Sequence, residues 1–114
     1  MTDCLFCRMV AREIEPDVVH ETDQVLAFND ISPQGPVHVL IIPKAHISTV
    51  NDLDETHTQV IGEMMLVAQA VAKKLNIAED GYRLVMNCNQ HGGQAVYHIH
   101  LHLIGGRQLS WPPG

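Results

Sequence analysis

The sequence predicts an α+β fold, a mainly antiparallel five-stranded sheet with one long helix and one short helix. Three observations lead there. Short β-branched runs are joined by brief turns. A single stretch, Asp54 to Leu75, holds a long apolar period of 3.6 residues. The 114 residues contain no internal repeat and no low-complexity segment, and their length is that of one domain spanning 1–114.

The elements follow in order. Leu5, Phe6, Met9 and Val10 recur at helical spacing, which places the short helix over residues 4–12, stopped by Pro16. Val18-Val19-His20-Glu21 and Val25-Leu26-Ala27-Phe28 flank Thr22-Asp23-Gln24 as a hairpin. Asp30 to Pro36 is a loop by its proline and glycine content. His38 to Ile42 is the third strand, ended by Pro43. In the long helix Val60, Ile61, Met64, Val67, Ala68, Val71 and Leu75 form one stripe. Asp52 and Asp54 offer N-caps, and Lys73-Lys74 complement the C-terminal dipole. Arg83 to Cys88 is the fourth strand, Asn89 to Gln94 a turn, and Tyr97 to Ile104 the fifth strand. Gly105-Gly106 then releases a tail, 105–114, that ends Trp111-Pro112-Pro113-Gly114.

The net charge of −6 excludes broad binding to nucleic acid polymers, which requires a basic face. No run is long and apolar enough for a membrane span, and Met1-Thr2-Asp3-Cys4 has no signal-peptide character, so a cytoplasmic protein without membrane partners is expected. Three cysteines, an odd number, argue against a disulfide framework, while Cys4 and Cys7 are spaced as a metal pair. Two small buried hydrophobes on a short helix would give the same spacing.

Eight histidines stand against two Phe, two Tyr and one Trp, and three of the eight fall in His98-Ile99-His100-Leu101-His102. On a strand these three project from one face, with Tyr97, Ile99, Leu101 and Leu103 on the other. They read as unrelated surface histidines, as a metal site, or as a phosphate-binding row. One ion collecting all three is strained, because the outer Cα atoms lie about 13 Å apart while zinc needs nitrogens at about 2.0–2.1 Å. A phosphate row suits the spacing of about 7 Å between neighbours, with neutral imidazole as nucleophile and its neighbours as donors. The turn at Gly92-Gly93-Gln94 adds backbone N–H groups able to cradle an anion.

The run His-Ile-His-Leu-His-Leu-Ile resembles the signature of the histidine triad (HIT) nucleotide-binding family. Phe28-Asn29-Asp30-Ile31-Ser32-Pro33, His38 with Ile42-Pro43-Lys44, Asn87, Gly92-Gly93-Gln94 and the Trp111-Pro112-Pro113-Gly114 tail extend the resemblance to its nucleoside phosphoramidase branch over nearly the whole chain. It implies a hydrolase of nucleoside 5′-phosphoramidates, acting on a purine nucleoside monophosphate joined to an amine, through a nucleotidyl-histidine intermediate on His100. His102, Asn87 and the backbone near Gly93 and Gln94 would hold the non-bridging oxygens, with His38 beside the phosphate or leaving group. Asp30 would accept from ribose hydroxyls, and Phe6, Phe28 and Ile31 would sandwich the base. Ala95 stands where animal-type members usually carry a serine that donates to the leaving group, and alanine has no such donor.

Members of the wider family with an N-terminal Cys-x-x-Cys also resemble this chain. That likeness implies a structural zinc held by Cys4, Cys7, His46 and His98, and no catalytic metal. The tail with Trp111 implies a homodimer in which it reaches the partner subunit's site. His20, His57 and His91 read as solvated, Cys88 as a buried inert thiol, and Met64, Met65 and Met86 as core. A dinucleoside polyphosphatase or other nucleotide-conjugate hydrolase, a nucleotide-binding regulatory module with little turnover, and a metalloenzyme on the three histidines are the competing readings.

Overall fold

The computed structural model describes residues 3–114. Its strands are β1 (Val18–Glu21), β2 (Val25–Asn29), β3 (Val37–Pro43), β4 (Tyr82–Val85) and β5 (Leu101–Gly105), and its helices α1 (Leu5–Val10), α2 (Thr58–Lys74) and the single turn α3 (Asn89–Gly92). The sheet order is β1-β2-β3-β5-β4, antiparallel throughout. This is the five-stranded α+β architecture that the sequence predicts.

Of the three inner strands, β2 and the Val39–Ile42 stretch of β3 read as unbroken apolar runs because both of their faces are covered. On one face Val25, Ala27, Val39, Ile41, Leu101 and Leu103 pack against Met64, Val67, Ala68 and Val71 of α2. On the other, Leu26, Phe28, Leu40 and Ile42 pack against Phe6 of α1. β5 differs, because its second face carries His102 opposite Leu40 and Ile104 opposite His38. Truncating Met64, which is 1% exposed, to alanine costs about 2–5 kcal/mol.

Several boundaries depart from expectation. Arg12, at φ 62°, ends α1 well before Pro16. The long helix begins at Thr58, not Asp54, after two 3-10 turns capped by Thr49 and Asp54. β4 stops at Val85, and Asn89, at φ 58°, starts α3 where a plain turn was expected. β5 begins at Leu101, so Tyr97 to His100 lie outside the ladder. A bend at residues 96–98 breaks the alternation and leaves Tyr97 46% exposed. Met65 is 48% exposed because it sits about 100° around α2 from Met64. Cys88 is half-buried, as are His20 and His57; His91 is exposed. Among the described residues no helix is long and apolar enough to cross a membrane.

Candidate active site

The rings of His98, His100 and His102 line the α1 side of the sheet. Phe6 meets the first two edge-on, at centroid distances of 5.8 and 5.1 Å, and His100 and His102 are 4.9 Å apart. Each ring has one nitrogen committed to a fixed partner, and that partner determines what the other nitrogen can do. His98 Nε2 donates to the Pro43 carbonyl at 2.8 Å, turning Nδ1 toward the Cys4 and Cys7 thiols. His100 Nδ1 donates to the His98 carbonyl at 2.8 Å, so its Nε2 carries a lone pair.

His102 is fixed through His38. The Gln34 N–H donates to His38 Nδ1 at 3.0 Å, which requires a lone pair there and puts the His38 proton on Nε2. That Nε2–H lies 2.9 Å from His102 Nδ1, which therefore accepts, and the His102 proton sits on its own Nε2. Burial favours these neutral forms. It pushes His102 down to about 4, helped by the neighbouring His100 and His38, and lowers His38 and His98 as well. Asp30, with Oδ2 3.5 Å from His38 Nε2, pulls the other way for His38 and His102 without overcoming burial.

His100 and His102 line a cavity of about 480 Å³ whose apolar walls include Phe6, Phe28, Leu40 and Ile31. Ile31 is 95% exposed. Asp30 lines it too, with Oδ1 accepting from the Ser32 N–H at 2.7 Å, as do Glu15, Asp17 and Asn29. A mostly apolar cleft with a few polar groups suits a base and its phosphate. Ala95 is exposed on the cavity wall and offers no hydroxyl.

Other expected contacts are arranged differently. The N–H groups of Gly93 and Gln94 are already bonded, to the Gln90 and Asn89 carbonyls, because they close the C-terminal end of α3. The Gln94 side chain is buried, donating to the Ser48 and Val96 carbonyls and accepting from the Asn89 N–H, so it pins the wall and does not face the cavity. The next N–H groups, of Ala95 and Val96, bond no other described residue and belong to cavity-lining residues. Asn87 is half-buried behind Gly92 and does not line the cavity. Trp111 is 80% exposed beside Arg83 of β4 and is likewise absent from the lining. Leu40 and Val96 were missed by sequence reasoning, although Leu40 could have been found by pairing β3 with β5 so that it opposes His102. The Gln34 backbone carried no signal at all.

Cys4, Cys7, His46 and His98 bring their ligand atoms within 4.8 Å of one another. Sulfur-to-nitrogen distances are 3.3 Å for Cys4–His98, 3.6 Å for Cys7–His98 and 3.3 Å for Cys7–His46. A tetrahedral zinc with two thiolates and two imidazoles has edges of about 3.3–3.8 Å, so this donor set fits. Burial, then the adjacent Cys4 thiol, push Cys7 up to about 11, a penalty that a cation reverses. The Pro43 carbonyl on His98 and the Ser48 hydroxyl, 3.3 Å from His46 Nε2, supply the outer partners such a site needs. Asp30, His38 and His102 also gather within 4.8 Å, but there the closest contact is the hydrogen bond between the two rings.

Comparison with known proteins agrees with this geometry. The HIT domain pattern matches residues 11–109. The chain is 55% identical over 108 residues to the purine nucleoside phosphoramidase of Escherichia coli (strain K12), covering 95% of this chain and 91% of that protein. It is 46% identical over 114 residues to the 14 kDa zinc-binding protein of Brassica juncea, covering 98% and 100%. The crystal structure of a HIT family hydrolase from Legionella pneumophila Philadelphia 1 superimposes with a TM-score of 0.95 at 51% identity, covering 97% of this chain and 99% of that one. With the fold, the histidine run and the matched span in agreement, the chain belongs to the HIT domain family.

Proposed function

We propose that this chain hydrolyses purine nucleoside 5′-phosphoramidates through a covalent nucleotidyl-histidine on His100. The observation that carries the reading is the committed Nδ1 of His100, which leaves an Nε2 lone pair on a residue lining a cavity sized for a nucleoside. Similarity to a purine nucleoside phosphoramidase supports the substrate class.

In the first step His100 Nε2 attacks phosphorus and the P–N bond to the amine breaks, with the leaving amine taking up a proton from solvent at the open cavity. The imidazolium so formed keeps its Nδ1–H on the His98 carbonyl, which stabilises the positive charge. Water then attacks phosphorus and gives up a proton to solvent, the bond to Nε2 breaks, and the nucleoside monophosphate leaves with neutral His100 restored. His102 Nε2–H and the Ala95 and Val96 N–H groups would hold the non-bridging oxygens, because phosphoryl transfer depends mainly on positioning and charge stabilisation. Asp30 would accept from ribose hydroxyls, and Phe6, Phe28 and Ile31 would hold the base. His38 would set the His102 tautomer beside the leaving group.

Ala95 favours one further reading. Without a hydroxyl to protonate an amine, a conjugate whose leaving group departs as an anion, such as a dinucleoside polyphosphate, is also a substrate candidate. Assaying both classes against wild type and His100→Ala tests the function. The proposal predicts the larger turnover on the phosphoramidate and none with His100→Ala. Undiminished turnover in that variant removes the covalent route.

Cys4, Cys7, His46 and His98 would hold zinc, as similarity to a zinc-binding protein supports. Four protein ligands close its coordination sphere, so its contribution would be structural, tying α1 to the end of β3 and the histidine strand. A homodimer in which the tail bearing Trp111 reaches the partner subunit's site completes the reading. Light scattering in solution tests it.

A further inference from the structure

Arg107 lies two residues beyond β5 and does not line the nucleotide cavity, yet its guanidinium reaches back over the sheet. Nε and Nη2 donate to the Gln34 carbonyl at 3.1 and 2.9 Å. Gln34 donates its own N–H to His38 Nδ1 at 3.0 Å, and His38 Nε2 lies 2.9 Å from His102 Nδ1. The contacts form a circuit that leaves β5 at His102 and returns to the same chain segment at Arg107. Besides His38, Arg107 is the only side chain outside the 30–36 loop that bonds Gln34 among the described residues.

Packing closes the same circuit. A Cβ on Gly35 would lie 3.2 Å from Ile104 Cγ2 and 3.3 Å from the Gly105 carbonyl, and one on Gly106, at φ +88°, would lie 2.8 Å from Pro36 Cβ. The loop and the turn after β5 are therefore seated closely enough to leave no room for a side chain at either glycine. Within the loop, Gln34 Nε2 donates to the Ser32 carbonyl and the Ser32 N–H to Asp30, bonds that brace its shape but do not anchor it to the sheet.

A neutral imidazole can carry its proton on either nitrogen, and the choice follows whichever partner is fixed first. Here the fixed partner is the Gln34 N–H. Release it, and only the Asp30 carboxylate, with Oδ2 3.5 Å from His38 Nε2, still favours a proton on Nε2, so His38 can also protonate Nδ1 and offer a lone pair at Nε2. His102 would then donate from Nδ1 and turn a lone pair toward the phosphoryl oxygens, replacing attraction with repulsion.

We propose that Arg107 is a positioning residue: by clamping Gln34 it fixes the tautomer of His38 and thereby makes His102 an Nε2–H donor. The proposal rests on the phosphoramidase reading for what the tautomer serves, and not for the tautomer itself. Lysine at position 107 would keep the charge but not the two-pronged grip on one carbonyl.

Long-range ¹H–¹⁵N spectra of the full-length protein read the tautomers directly. In wild type, Nε2 of both His38 and His102 is the protonated nitrogen. In Arg107→Ala both residues shift toward a mixture, and Arg107→Lys falls between. On an adenosine 5′-phosphoramidate, kcat of Arg107→Ala falls about 10- to 100-fold while KM moves less than about 3-fold, the pattern of lost orientation at intact binding. Arg83→Ala, which frees the tail from β4, leaves the His38 and His102 signals in place. Unchanged tautomers in Arg107→Ala, or equal shifts in Arg83→Ala, overturn the proposal. Tautomers that move as expected in a protein that turns over no phosphoramidate support the positioning role and overturn the enzymatic reading instead.

Discussion

Two histidine clusters sit side by side on one face of the sheet, built from the same residue type and sharing one short segment of chain, yet they expose opposite nitrogens. In the cluster with Cys4, Cys7 and His46, His98 spends Nε2 on the Pro43 carbonyl and offers Nδ1 to the thiols. In the cavity, His100 spends Nδ1 on the His98 carbonyl and offers Nε2. The difference teaches that chemical role follows from the partner of the nitrogen that is not used. Neither carbonyl is a side-chain atom, so the assignment is written into the backbone path.

The comparison breaks most readily at His100. His100→Ala is expected to lower the single-turnover rate on an adenosine phosphoramidate by about 10⁴-fold or more, with metal content unaltered. A rate within 10-fold of wild type would mean that the open Nε2 is not the nucleophile. Next in size is the metal cluster. Cys4→Ser is expected to take zinc from about one per chain to none, and to lower unfolding free energy by about 4 kcal/mol where zinc stands at 1,000 times its dissociation constant. Elemental analysis with denaturant unfolding measures both, and zinc retained at wild-type level refutes the assignment.

A smaller effect separates the clusters by pH. His102 is held down to about 4 and His38 is lowered by the same burial, whereas in the unfolded chain both titrate near 6.5. Between those values the unfolded state binds more protons, so stability is fully present above about pH 6.5 and is lost as pH falls toward 4. Thermal midpoints are expected to drop by roughly 5 °C between pH 6.5 and 4.5, and His102→Gln to flatten that slope. An equal slope in the variant assigns the loss elsewhere. The smallest effect on activity is expected in Gln94→Ala. It strips the Ser48 and Val96 carbonyls and the Asn89 N–H of a buried partner, for about 1–3 kcal/mol of stability. Calorimetry checks the stability cost, and kcat/KM should stay within about 3-fold.

The sequence disclosed the sheet well, because apolar runs such as Val25 to Phe28 and Val39 to Ile42 have one reading when both faces are covered. It disclosed the histidines through their alternation and the Cys4, Cys7, His46 and His98 cluster through family likeness. It hid what depends on main-chain partners. The bend at 96–98, which exposes Tyr97, and the early end of β4 leave no mark in the apolar pattern. Gly93 and Gln94 look like an anion cradle in sequence, but α3 claims their N–H groups and passes the open positions to Ala95 and Val96. Met65 looked like core only because its apolar side chain was counted without its angle around α2.

The acceptor that orients His100 is the main-chain oxygen of residue 98, an atom that every amino acid supplies. Replacing the imidazole at position 98 would therefore remove one donor of the proposed zinc site while leaving the Nδ1 partner of His100 in place. The two proposed roles are adjacent in space but separable by substitution.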